Sequence, residues 1–373
     1  MKVVIAVDSF KGSMTSMEAG IAAKEGVLAA KPDAKVIVKP LADGGEGTTD
    51  ALIEGMNGEK IDVTVTNPLG KKISSYYGYL KESNTAVIEM ASAAGITLVD
   101  RKDPLNATTY GVGEMINDAL SRGCQNFIIG IGGSATNDGG IGMLKALGFE
   151  FLDENGYDVG EGARALKKVV EIRTEKKNPL LSKAYFQVAC DVKNPLCGEN
   201  GATYIYGTQK GVTDAMKEEV DMAMKHYADV TESRLGGKYA NVEGAGAAGG
   251  LGFAFLAYIK AELILGTDLI LQAVGLEKEL NGADVVITGE GYLDRQTAMG
   301  KAPVGVAKLA KKYGAKVIAF AGGVTSDAKK CNQVGIDAFF PIVRGVSTLE
   351  KAMDTHNAKE NMRDSVEQVF RLL

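Results

Sequence analysis

Val3-Val4-Ile5-Ala6-Val7-Asp8-Ser9-Phe10-Lys11-Gly12-Ser13 opens the chain with a short β-branched apolar run that ends at an acidic residue and a polar turn. Such a run reads as a buried strand. Thr15 or Ser16 then supplies the cap of a helix reaching about Ala30, with Glu18 in its first turn. A second strand at 35–40 leads into Asp43-Gly44-Gly45-Glu46-Gly47 and a helix from about Thr48. Strand, turn, helix, strand, turn, helix predicts a parallel α/β sheet.

The C-terminal third repeats the pattern. Residues 284–288 read as a strand followed by Gly289-Glu290-Gly291, and 302–313 as a helix with Pro303 in its first turn, where proline is tolerated. Residues 316–321 and 338–343 read as strands, and a helix from about Ala358 closes the chain. These strands can join the N-terminal pair in one open sheet. The middle reads differently. Alternation over 61–90, broken by Asn67-Pro68-Leu69-Gly70, predicts antiparallel strands. Helices are expected at 111–122 and 213–235, and strands at 127–131, 187–190 and 203–206. The fold class expected is therefore α/β in two domains with a cleft between them. A parallel Rossmann- or flavodoxin-like domain is expected from residues 1–65 and 255–373, and an inserted mixed α/β domain from 66–254.

Composition narrows the function. Against 42 basic residues stand 47 acidic ones, giving a net charge of −5 with no dense basic run, so no nucleic-acid partner is expected. The longest uncharged stretch, 244–259, is glycine-rich and shorter than a membrane span. The N-terminal apolar run is too short for a signal peptide, and a soluble, cytoplasmic protein is expected. The four cysteines lack CxxC spacing and the two histidines lie outside the glycine-rich motifs, so reduced thiols are expected and zinc or histidine chemistry is not. The 47 glycines are about twice the average share, and they cluster beside acidic and hydroxyl residues. Glycine lets a ligand approach the backbone closely, so the clusters read as ligand-contacting turns.

In open α/β sheets, ligands bind beyond the carboxyl ends of the strands. That rule selects three acidic turns: 8–13, 43–47 and 289–294. Lys11 and Lys301 are candidate cations there, and Asp43, Glu290 and Asp294 candidate carboxylates for Mg2+. The competing reading of each residue alone is a surface ion pair or a helix cap. Between a strand and a helix lies a loop containing Gly132, Gly133, Ser134, Asn137 and Asp138, whose amides and helix N-terminus could hold phosphate or carboxylate oxygens. Tight packing with Asn137 or Asp138 as a cap is the alternative. A second glycine-rich stretch with Gly246, Gly249 and Gly250 is compatible with nucleotide phosphates, or with close helix packing. There is no Walker-type GxxxxGK[ST] and no protein-kinase signature. Asp191 follows the strand at 187–190, where a carboxylate could accept a substrate hydroxyl's proton.

These motifs, in this order, resemble the bacterial glycerate kinase family of the glyoxylate- and galactarate-pathway type. The resemblance runs end to end: Asp8 to Ser13, Ala42 to Thr48, Glu89-Met90-Ala91, Ala107 to Gly111, Gly130 to Gly142, Asp191 to Leu196, Gly244 to Gly252, and Gly289 to Thr297 with Gly300-Lys301-Ala302-Pro303. Thr208 departs from it, standing where the family usually has proline before Gln209-Lys210-Gly211. The resemblance implies phosphotransfer from ATP to D-glycerate with Mg2+. Asp191 is expected to orient or deprotonate the acceptor hydroxyl, Asp43 and Glu290 to help hold Mg2+ or substrate, and Lys11 to pair with the glycerate carboxylate or the phosphates. Closure of the domains would exclude water. A 2-phosphoglycerate product is favoured over 3-phosphoglycerate. A kinase for another small hydroxy acid, or a glycerate or nucleotide sensor, is the alternative, and the oligomeric state, a homo-oligomer included, is left open.

Overall fold

The structure, a computed structural model, describes all 373 residues. Its strands in chain order are β1 (Lys2–Val7), β2 (Lys35–Pro40), β3 (Glu59–Thr66), β4 (Lys72–Leu80), β5 (Thr85–Glu89), β6 (Asn126–Gly130), β7 (Glu150–Leu152), β8 (Glu171–Arg173), β9 (Tyr185–Ala189), β10 (Glu262–Ile264), β11 (Val285–Leu293), β12 (Lys316–Val324) and β13 (Ala338–Pro341). Two compact units contain them: Met1–Asp43 with Asp50–Asn57 and Thr267–Leu373, and Gly44–Thr49 with Gly58–Gly266.

The first unit is a five-stranded sheet in the order β13-β12-β11-β1-β2, parallel throughout. Numbered within the unit this is 2-1-3-4-5, the flavodoxin-like order, whose switch point lies between β1 and β11. The apolar run that opens the chain becomes a central strand buried on both faces, as its near-continuous hydrophobicity predicts. One face carries the helices Ser16–Ala30 and Thr355–Phe370; Val3, Ile5, Ile287 and Phe320 pack there against Ala23, Val27, Met362 and Val366. The helix Ala302–Lys312 packs on β11 and β12. Thr15 caps Ser16–Ala30 through a capping box with Glu18. The next residue ties two strand ends together: Ser16 Oγ donates to Val7 O at 2.7 Å and accepts from Leu41 N at 2.8 Å.

The second unit is a mixed six-stranded sheet, β10-β9-β6-β5-β4-β3, with β7 and β8 forming a separate hairpin. Strands β5, β6, β9 and β10 run parallel; β4 is antiparallel to both β3 and β5, as the alternation over 61–90 predicts.

Several expectations need correction. Strand β3, read as the edge of the first division, pairs with β4 along its whole length and so belongs to the mixed sheet. Residues 203–206 are not a strand but part of the helix Ala202–Tyr206. The Thr-Tyr-Ile-Tyr composition favours a strand, yet Ala202, Thr203 and Gly207 are buried while Ile205 is exposed, which is helical spacing. Strand β11 does not end at Thr288 but runs on to Leu293, pairing Glu290 with Ala321 and Tyr292 with Gly323. The acidic motif after Thr288 is thus extended strand. Gly289 permits this, because a Cβ there would stand 2.0 Å from Phe320 O on the neighbouring strand.

Candidate functional site

The carboxyl ends of β1 and β11 meet at the switch point of the first unit, where Asp8 N donates to Gly289 O at 2.8 Å. A cavity of about 650 Å3 opens there, lined by Asp8, Lys11, Asp43, Glu290, Asp294 and Lys301 among others. All three acidic turns picked out from the sequence therefore contribute side chains to one cavity.

Burial drives the chemistry of this cluster. Asp8 accepts only Ser9 N, at 2.6 Å, and removal from water together with the charges of Asp43 and Glu290 pushes its carboxyl up to about 7. Glu290 is also raised, first by burial; Thr297 Oγ1, which donates to it at 2.6 Å, and Lys301, whose Nζ stands 3.8 Å away, act in the opposite direction. These two raised carboxyls repel each other and share the cavity with Asp43 and Asp294 and with Lys11 and Lys301. A further cation among these carboxylates would relieve that repulsion, which is the donor chemistry a hard divalent ion requires. No three acidic, histidine or cysteine side chains converge into a ready-made cage.

Asp294 has a different first duty. Its Oδ1 accepts Gln296 N at 2.7 Å and Thr297 N at 3.1 Å, capping the helix Arg295–Ala298. Asp8 had no role assigned from the sequence, although it stands at the end of the first strand and obeys the same strand-end rule. Ser13 Oγ, on the cavity wall, is buried without a partner.

The other expected residues lie in the second unit. The loop after β6 leaves Gly132 and Gly133 exposed, but Asn137 and Asp138 are completely buried. Asp138 accepts from Thr109 N and Thr109 Oγ1 at 2.8 Å, Gly140 N at 3.1 Å and Gly142 N at 3.3 Å. Its carboxylate is therefore committed to holding the start of the helix Ile141–Ala146. Asn137 Nδ2 donates to Thr203 Oγ1 at 3.0 Å. Ser134 Oγ accepts the ammonium of Lys210 at 2.6 Å, and the same Nζ donates to Thr136 O at 2.7 Å. Lys210 is 1% exposed, and burial pushes it down to about 7. Nothing in its sequence setting, a single lysine between Gln209 and Gly211, signals this.

Gly246, Gly249 and Gly250 belong to packing. A Cβ on Gly249 would stand 2.1 Å from Thr136 O, and one on Gly246 2.2 Å from Pro195 O. Gly249 and Gly250 adopt left-handed φ values of 70° and 90°, and Gly249 O accepts Gly139 N at 2.9 Å. The two glycine-rich stretches thus pack upon each other. Asp191 is exposed, with Oδ1 accepting Gly266 N at 2.9 Å.

The family model described as the glycerate kinase family matches residues 3–373. The Bacillus subtilis (strain 168) glycerate kinase is 47% identical over 95% of this chain and 93% of its own length. The Escherichia coli (strain K12) glycerate 2-kinase is 45% identical over 94% and 93%. A crystal structure of a Salmonella typhimurium LT2 protein described as a glycerate kinase 2 superposes with a TM-score of 0.91 at 42% identity, covering 99% of this chain and 97% of that one. The chain belongs to the glycerate kinase family and is a kinase.

Proposed function

We propose that the chain transfers the γ-phosphoryl group of ATP to D-glycerate in a Mg2+-dependent reaction and that 2-phosphoglycerate is the favoured product. The observation that carries this reading is the gathering of Asp8, Asp43 and Glu290 with Lys11 and Lys301 in one cavity at a flavodoxin-like switch point, where burial raises Asp8 and Glu290. Phosphoryl transfer makes little covalent demand on a protein; it needs positioning and charge compensation around the phosphates. Membership of a family whose relatives are named glycerate kinases supports glycerate as acceptor, and the name of the Escherichia coli relative supports the 2-hydroxyl.

In this mechanism Asp43 and Glu290 would hold the cation, with Asp8 a third acidic group lining the same cavity. Mg2+ bound there would offset the charge of the phosphate oxygens. Lys11 pairs with the phosphates or the glycerate carboxylate, and Lys301, already 3.8 Å from Glu290, orients that side chain. A glycerate hydroxyl oxygen attacks the γ-phosphorus, the bond from that phosphorus to the β–γ bridging oxygen breaks, and ADP leaves. The hydroxyl proton passes to a carboxylate, for which Asp191 is our candidate; the Gly266 amide at 2.9 Å fixes that carboxylate's orientation.

The test is turnover with MgATP and D-glycerate, followed by phosphorus NMR of the product. One phosphorus–hydrogen coupling partner identifies the 2-phosphate and two the 3-phosphate. Folded protein that releases no ADP with glycerate, yet does so with another short hydroxy acid, would move the substrate to that acid. Asp191→Asn with unchanged turnover would remove Asp191 from the mechanism.

A further inference from the structure

The cavity at the switch point, about 650 Å3, is far larger than a three-carbon acid fills. Its lining is mixed: the carboxylates and lysines share it with Phe10, Tyr292, Leu349 and Met353. Glu290 and Tyr292 lie two residues apart on β11, so they face the same side of the sheet about 7 Å apart along the strand. Tyr292 is 55% exposed and Leu349 75% exposed, unusual for large apolar side chains in a cavity wall. The Tyr292 ring lies over Gly323 of the paired strand: a Cβ on Gly323 would stand 2.5 Å from two ring carbons. The glycine thus provides a flat seat for the ring. Opposite, Met353 packs on Gly12, where a Cβ would stand 2.9 Å from the methionine methyl.

Among the reactants, glycerate and the phosphates present no flat apolar surface, whereas the base of a nucleotide does. We infer that Tyr292, with Leu349 and Met353, forms the subsite for the heteroaromatic base of the phosphoryl donor, and that this subsite reads the base by stacking rather than by side-chain hydrogen bonds. The hydroxyls of Ser347 and Thr348, next to Leu349 in sequence, already have local duties. Ser347 Oγ donates to Thr348 O at 3.3 Å, and Thr348 Oγ1 accepts Lys351 N at 3.3 Å. Every nucleobase offers a π-face, so stacking is tolerant of base identity. Adenine and guanine nucleotides should bind with affinities within about tenfold of each other, because stacking does not distinguish the two bases.

This inference rests on the nucleotide-dependent reading above, and its test separates the two. Calorimetry with the whole protein and Mg2+ compares ADP, GDP and inorganic triphosphate as ligands. Tyr292→Ala should weaken ADP and GDP by about tenfold, the size of one base–aromatic stack, while leaving inorganic triphosphate unchanged. Tyr292→Phe should retain ADP affinity, and Leu349→Ala, on an exposed side chain, should weaken ADP alone. Equal losses for ADP and triphosphate, no loss in either alanine variant, or a preference between ADP and GDP above about tenfold would overturn the subsite. Wild-type protein that binds ADP through Tyr292 but shows no glycerate-dependent turnover would leave the subsite standing and sink the glycerate reading.

Discussion

Asp8 illustrates what a single residue gains and loses from its place in the fold. Its carboxyl, ordinarily near 3.8, is pushed up to about 7 by burial first and by its acidic neighbours second. The folded protein therefore keeps the proton across a pH range in which the unfolded chain releases it. The associated stability is fully present below pH 3.8 and is lost as the pH rises through about 7. In EDTA, Asp8→Asn should stabilise the protein at pH 8 by on the order of 1–4 kcal/mol and change little near pH 4, as read by urea unfolding. The same variant should lower Mg2+-dependent turnover by roughly 10- to 100-fold. Lys210 carries the opposite sign. A lysine held near 7 instead of 10.5 binds fewer protons folded than unfolded between those values, so stability rises with pH across that window. Lys210→Met should flatten that slope; an equal stability difference from wild type at pH 7 and pH 9.5 would show that Lys210 does not titrate there. Neither shift was legible in the sequence, because burial and the identity of neighbouring charges arise only when distant segments meet.

At the scale of elements, the start of the chain was the most legible part. An apolar β-branched run, Thr15 with Glu18 three residues later, and a second strand all point to one strand–helix–strand unit, and each local signal agrees with the fold. Reading failed where tertiary partners override composition. Residues 202–206 have strand-forming side chains but helical burial. The glycines of 289–291 look like a loop, yet they let β11 continue beside β12. The glycines of 246–250 look like a phosphate cradle, yet the space beside them is filled by Thr136, Asn137 and Pro195. Gly26 shows the same principle between two helices, since a Cβ would stand 2.2 Å from Arg363 O of Thr355–Phe370. Gly26→Ala should therefore destabilise the protein by about 1–3 kcal/mol in denaturant unfolding.

At the scale of the whole molecule, the parallel unit is assembled from the two ends of the chain, with Val3 of β1 paired to Val285 of β11. The strand-end rule survived this, because it depends on where acidic turns fall relative to strands rather than on which strands are neighbours. It gathered Lys11, Asp43, Glu290, Asp294 and Lys301 into one cavity, and it also selected the turn that begins at Asp8, though Asp8 itself was given no role. What it could not supply is how the charges balance, and that balance is the core of the proposed function, in which carboxylates at the switch point would hold the cation that phosphoryl transfer needs. The most direct measurement is the initial rate of glycerate-dependent ADP release from MgATP, titrated with Mg2+ for wild type and Asp43→Asn. The account predicts that EDTA abolishes the rate and that Asp43→Asn raises the Mg2+ concentration for half-maximal rate by about 10- to 100-fold. An unchanged Mg2+ requirement in folded Asp43→Asn would contradict it.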